Sequence, residues 1–184
     1  MFGYVDKDGD GWRDMPDGSP LVLEYATSPS AADRELNEVW KKSMTAVGIQ
    51  VVFKTAKWPE NLKAARAGKV MMWGLGNSAS SPDGGSFLDF GYGPQKFEGN
   101  LAAFQNDEYD KLYRQQVVMP DGPERLAIMQ KMVKILVAYM PYKFNTHRIR
   151  TDVMQPWLIG YRRHPTSRAF WRYVDIDLSK LPKP

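Results

Sequence analysis

The sequence predicts an α/β fold with a mixed, largely parallel sheet flanked by helices, and three observations carry that expectation. Short apolar runs alternate with stretches of helical period between Leu21 and Trp73. The links between them are short and hold residues that start and stop helices. The resulting order of strand, helix, strand, helix, strand is the one that parallel strands with right-handed crossovers produce.

The elements follow in order. Asp6 to Ser19 is a loop rich in Asp, Gly and Pro, and Leu21 to Tyr25 reads as a strand. Ser30 caps a helix, with Asp33 three residues on as an imperfect capping box. Leu36, Val39, Trp40, Met44 and Val47 form its apolar stripe, and Gly48 ends it. Ile49 to Phe53 is the second strand. Pro59 opens a shorter helix carrying Leu62 and Ala65, and Gly68 closes it. Val70 to Trp73 has no polar alternation, which predicts a central strand covered on both faces.

After Trp73 the pattern stops. Gly74 to Ser86 holds four glycines and four serines with a single proline and a single aspartate, an irregular loop leaving the carboxyl end of a strand. In open parallel sheets that edge is where ligands bind. Gly74-Leu75-Gly76-Asn77-Ser78-Ala79 matches a loose dinucleotide fingerprint, but it follows the third strand and runs into Ser80-Ser81-Pro82-Asp83-Gly84-Gly85, which does not open a helix. A nucleotide site is therefore not expected. Two helices follow. Asn106 caps the first, with Tyr109, Leu112 and Tyr113 facing inward; Pro123 starts the second, whose stripe is Leu126, Met129, Val133, Leu136, Val137 and Met140 before Pro141 stops it. Tyr142 to Phe144 and Ile149 to Met154 read as extended, and the tail from Pro156 is aromatic and basic.

Composition narrows the function. With 184 residues, 43% hydrophobic and 25% charged, the chain reads as globular, and no apolar stretch approaches the roughly 18 residues of a membrane span. Met1-Phe2-Gly3-Tyr4 lacks the basic and apolar regions of a signal peptide, so the natural protein is expected to continue upstream. The absence of cysteine excludes disulfides, thiolate metal sites and cysteine nucleophiles. Charge is uneven. Asp6, Asp8, Asp10, Asp14 and Asp17 crowd one loop, whereas His147, Arg148, Arg150, Arg162, Arg163, His164, Arg168 and Arg172 lie near the other end with only Asp152 among them.

Asp6-Lys7-Asp8-Gly9-Asp10-Gly11 has calcium-loop spacing: Asp6, Asp8, Asp10, the Trp12 carbonyl, Asp14 and Asp17 fall at the ligand positions, with Gly11 at the turn. An Asp-Gly turn joining short strands is the alternative reading. Calcium is thus a possible ion and no cofactor is required. The two histidines lie near arginines, and no nucleophile elbow, phosphate loop or zinc-helix motif occurs, so an enzyme is not expected. The basic, aromatic tail (Arg148, Arg150, Trp157, Arg162, Arg163, Trp171, Arg172, Tyr173) resembles a stacking surface for nucleic acid, but the rest of the chain is not basic, and an interface with other chain is the preferred reading.

The order of these features resembles the family of peptide- and nickel-type extracellular solute-binding proteins of ABC importers. The resemblance is carried by Gly3 to Gly11 with Asp17-Gly18-Ser19-Pro20-Leu21, by Trp40 on a helix ending in Val47-Gly48-Ile49-Gln50-Val51, and by Trp73-Gly74. It continues through Ser81-Pro82-Asp83 with Phe87-Leu88, Asn100 with Phe104, Asn106 to Leu112, Pro123-Glu124-Arg125, Met140-Pro141 and Trp157 to Tyr161. It implies one lobe of a periplasmic-binding-protein-like fold, the second lobe over 1–155, with 156–184 a tail returning toward the first. It also implies a periplasmic receptor, not an enzyme, that closes on a peptide or other small solute and hands it to an ABC permease. The ligand-side residues are then Trp73 as an apolar wall and Asn77, Ser78, Ser80, Ser81 and Asp83 as hydrogen-bonding groups. In peptide-binding relatives an aspartate of this loop takes the peptide's amino group; the comparable place here is near Ser80, and no acid stands between Trp73 and Pro82. The alternative function is a calcium-stabilised protein-interaction module with a basic docking tail.

Overall fold

The computed structural model describes residues 2–144, 149–167 and 169–182, so His147, Arg148 and Arg168 lie outside the described residues. Contacts divide the chain into two compact units, Met1–Gly76 and Asn77–Pro184.

The first unit holds the sheet. β1 (Val22–Thr27), β2 (Gln50–Thr55) and β3 (Met72–Trp73) pair in the order β2-β1-β3, and both pairings are parallel. The predicted parallel α/β arrangement is therefore present, with α1 (Ala31–Thr45) and α2 (Trp58–Arg66) as crossovers. Val22 stands opposite Gln50 and Thr27 opposite Thr55, a full six-residue ladder, whereas β3 contributes only the pairs Tyr25–Met72 and Ala26–Trp73. The central strand is thus β1, and β3, expected at the centre, is at an edge. A short apolar run reports neither its neighbours nor its burial, and Met71 is 61% exposed.

Local chemistry explains the boundaries. The Ser30 hydroxyl oxygen accepts the Asp33 amide (3.0 Å), and that hydroxyl donates to the Asp33 carboxylate (2.7 Å), closing a reciprocal cap on α1. Gly48 takes φ +71°, which lets the Ile49 amide bond the Met44 carbonyl and end the helix. Pro59 sits in the first turn of α2, where the Glu60 carboxylate accepts the Lys57 amide at 3.0 Å. The apolar stripe of α1 is only partly used. Trp40 packs on Tyr25 with centroids 6.1 Å apart and Met44 is half-buried, but Leu36, Val39 and Val47 are exposed.

The second unit is built on helices. A seven-residue 3₁₀ helix, Gly85–Gly91, leads to α3 (Asp107–Gln116) and α4 (Pro123–Tyr139). Asn106 caps α3 as predicted, its side chain accepting the Tyr109 amide at 2.8 Å. Leu88, Tyr109, Ile128, Met129, Met132 and Leu136 form the core cluster. The stripe assigned to α4 is corrected here: Met129 and Leu136 are inside, but Leu126, Val133, Val137 and Met140 are exposed, and Ile128 and Met132 take the inner face. A helix with apolar residues around most of its circumference does not reveal its inner face by pattern alone. Tyr142 to Phe144 and Ile149 to Met154, expected to be extended, form no strand; the tail instead makes a small antiparallel pair, β4 (Leu158–Ile159) with β5 (Asp175–Ile176).

Candidate functional site

Parallel pairing puts the carboxyl ends of β1, β2 and β3 at one edge of the sheet, and the loop predicted to meet a ligand leaves β3 there. Trp73 ends β3, half-buried, with its ring centroid 6.2 Å from that of Trp58 at a tilt of 48°. Trp58 opens α2 just past β2 and is 55% exposed, an unusual placement for the largest apolar side chain. The sequence signal for Trp58 is its position one residue before Pro59, at a strand-to-helix link on the same sheet edge. Gly74 is held close beneath Tyr25, where an added Cβ would meet the Tyr25 hydroxyl at 2.3 Å.

The remaining candidates belong to the second unit. Asn77, Ser78 and Ser80 are exposed and Ser81 is half-buried. The Ser80 amide donates to the Ser86 hydroxyl at 3.2 Å. Asp83 is engaged on both carboxylate oxygens: Oδ1 accepts the Gly85 amide (3.0 Å) and Oδ2 receives Nη1 of Arg125 (2.6 Å). The Ser81 hydroxyl, the Gly85 amide and the Arg125 guanidinium together hold its carboxyl down at about 2. The loop thus offers amides and hydroxyls, and its aspartate is ionised and paired.

In the acidic turn the structure brings together Asp6, Asp8 and Asp14, each offering an oxygen within 4.8 Å of the others. Such a donor set fits a hard cation. The carboxylates also serve the backbone: Asp6 accepts the Gly9 (2.7 Å) and Gly11 (2.9 Å) amides, Asp8 the Asp10 amide (3.2 Å), and buried Asp14 the Lys7 amide (2.8 Å). Asp10 and Asp17 fall outside the group. Asp10 accepts the Trp12 amide at 2.8 Å, and Asp17 accepts the amide and hydroxyl of Ser19, which lower its carboxyl below the ordinary value. Short local bonds to amides two residues on turn these two side chains away. Arg13 fastens the turn to the end of α1, donating to the carbonyls of Val47 (2.7 Å) and Tyr4 (2.9 Å).

The tail is less free than its charge suggests. Arg163 pairs with Asp152, whose carboxyl is lowered by that bond, and Phe170 packs edge-on against Tyr161 and at a tilt against Trp171. Nδ1 of exposed His164 accepts the Ser167 amide at 2.8 Å, a turn-forming role.

Comparison with known proteins shows what the chain resembles. No protein-family model matches the chain. Over 95% of its length the chain superposes on the oligopeptide-binding protein AppA of Bacillus subtilis, solved with a nonapeptide, with a TM-score of 0.78 and 21% identity, covering 35% of that protein. The fold is therefore that of a lobe of a periplasmic-binding protein. In sequence the chain is 25% identical over 161 residues to di/tripeptide-binding protein 2 of Pseudomonas aeruginosa, and 21% identical over 159 residues to heme-binding protein A of Haemophilus influenzae. These matches take in 85% and 86% of this chain but 30% and 28% of the relatives, so it spans about a third or less of their length. The relatives that the chain resembles are binding proteins for di- and tripeptides, oligopeptides and heme.

Proposed function

We propose that this chain is part of an extracytoplasmic receptor that captures a peptide or other small solute and delivers it to an ABC importer. The observation that carries the reading is the Gly74–Ser86 loop, which leaves the carboxyl end of a parallel sheet within a lobe that superposes on a peptide-binding protein. On this reading the protein acts by binding and release and catalyses nothing, its compartment is the periplasm, and its second partner is a membrane permease. The alternative of a calcium-stabilised docking module draws no support from the relatives. Among the described residues no helix is long and apolar enough to cross a membrane.

The test is thermal melting of the complete receptor against short peptides, oligosaccharides and heme. A solute that binds only the folded state stabilises it by mass action, by about 2.7 kcal/mol at a hundred times its dissociation constant, and so raises the midpoint. A shift with one solute class supports the reading; a flat response across all three classes counts against it. Calcium at Asp6, Asp8 and Asp14 is a smaller part of the proposal, supported by their convergence within 4.8 Å. Calorimetric titration checks it: heat that disappears in D6N/D8N supports the ion, and an identical trace for both proteins removes it.

A further inference from the structure

Arg125, in the first turn of α4, joins three separate pieces of chain. Its Nη1 meets Asp83 and Asp121 at 2.6 Å each, and its Nε donates to the Gln116 carbonyl at 3.1 Å. Gln116 is the last residue of α3, so the cation also lies against helix carbonyls that have no partner within the helix. The Arg125 side chain is 16% exposed, while its partners Asp83 and Asp121 are 33% and 90% exposed. The guanidinium reaches both carboxylates through Nη1 and the carbonyl through Nε.

The loop is shaped to receive it. Ser81 to Gly84 is a turn closed by the Gly84 amide on the Ser81 carbonyl at 3.3 Å, with Gly84 at φ +73°. At Gly85 an added Cβ would stand 3.2 Å from both Arg125 Nη2 and Asp83 Oδ2. The glycine therefore leaves the room in which guanidinium and carboxylate meet.

We propose that Arg125 is a positioning residue for the solute loop: it holds Asp83, fixes the Ser81–Gly85 turn, and so presents the solute with hydroxyls and amides instead of a carboxylate. This rests on the receptor reading above. The solute met by this loop is then one recognised without an ion pair from it, and Asp83 acts through Arg125 and not on the solute.

Two measurements test the proposal. The first is hydrogen exchange on the chain itself. R125Q and D83N each speed exchange of the amides at 83–86 by about tenfold or more. The double variant is no faster than either single one, because both remove the same contact. G85A gives the same pattern by crowding the pair. Amides of Ile128 to Leu136 keep their protection; a loss spread through α4 would make Arg125 a support of the fold alone and overturn the proposal, as would an unchanged loop. The second measurement is affinity of the complete receptor for whichever of trialanine, stachyose or hemin the wild type binds. R125Q and D83N weaken it equally, by about tenfold, with little change in melting temperature. If D83N abolishes trialanine binding while loop exchange is unaltered, Asp83 is itself the ligand group and the proposal falls. A wild type that binds none of the three sinks the receptor reading and the solute role with it, and the exchange data alone then judge the latch.

Discussion

The two units reach order by different means. In the first, the buried residues are few and small or polar: Ala26, Ala65, Asp14, Thr27 and Asn61. Parallel ladders and loop hydrogen bonds hold it, and α1 has no buried residue at all. In the second, Leu88, Tyr109, Ile128, Met129, Met132 and Leu136 close a true apolar core around two helices. The difference lies in what holds each unit: the sheet unit rests on its ladders and leaves the Trp58 indole exposed, while the helical unit closes around an apolar core.

Substitutions should separate the two. The largest effect belongs to Tyr109, which is fully buried and donates its hydroxyl to the Leu88 carbonyl at 2.7 Å. Tyr109→Ala should cost about 3–5 kcal/mol, seen as loss of the second unit's cooperative melt by calorimetry. Equal loss of β1–β2 amide protection would show the units to be one cooperative body. Next comes Asn61, 4% exposed, whose Nδ2 donates to the carbonyls of Thr27 (2.9 Å) and Ala56 (3.2 Å). Asn61→Ala leaves both short of a donor and should cost about 1–3 kcal/mol, read from denaturant midpoints with Tyr109's environment unchanged. Asn106→Ala removes the α3 cap at a cost of about 1 kcal/mol and should fray the first turn of that helix by amide exchange.

The smallest effect is one of pH. The Asp83 carboxyl falls to about 2 in the folded chain from an ordinary 3.8, so its contribution is present above 3.8 and is lost as pH drops toward 2. Acid titration followed by loop exchange should show that loss in the wild type and none in D83N. Identical acid profiles would remove Asp83 from the account.

Much of the first unit was legible because its punctuation is local. Ser30, Gly48, Pro59 and Gly68 act within a turn of where they stand, and each stands at the predicted boundary. What was misread depends on distant partners. Val70 to Trp73 carries nothing that says whether another strand lies beyond it, and the apolar residues of α4 do not say which side meets Tyr109. β4 and β5 are two residues each, too short for any period to appear. The candidate loop was visible as a break after a strand, and five carboxylates were visible as a cluster. Which carboxylates converge, and that Asp83 is held by Arg125 from 42 residues downstream, are properties of folded geometry.

The place of β1 in its sheet also sets an order of events. Both partners of β1 come later in the chain, so a ribosome must deliver residues through Thr55 before the first ladder can form and through Trp73 before the second. Until then β1 presents two open edges, the form in which a strand most readily pairs with the wrong chain. The short crossovers keep that waiting time brief, and Glu24 and Lys54, paired across the finished ladder at 3.2 Å, put charge on strands that would otherwise be inviting to a stranger.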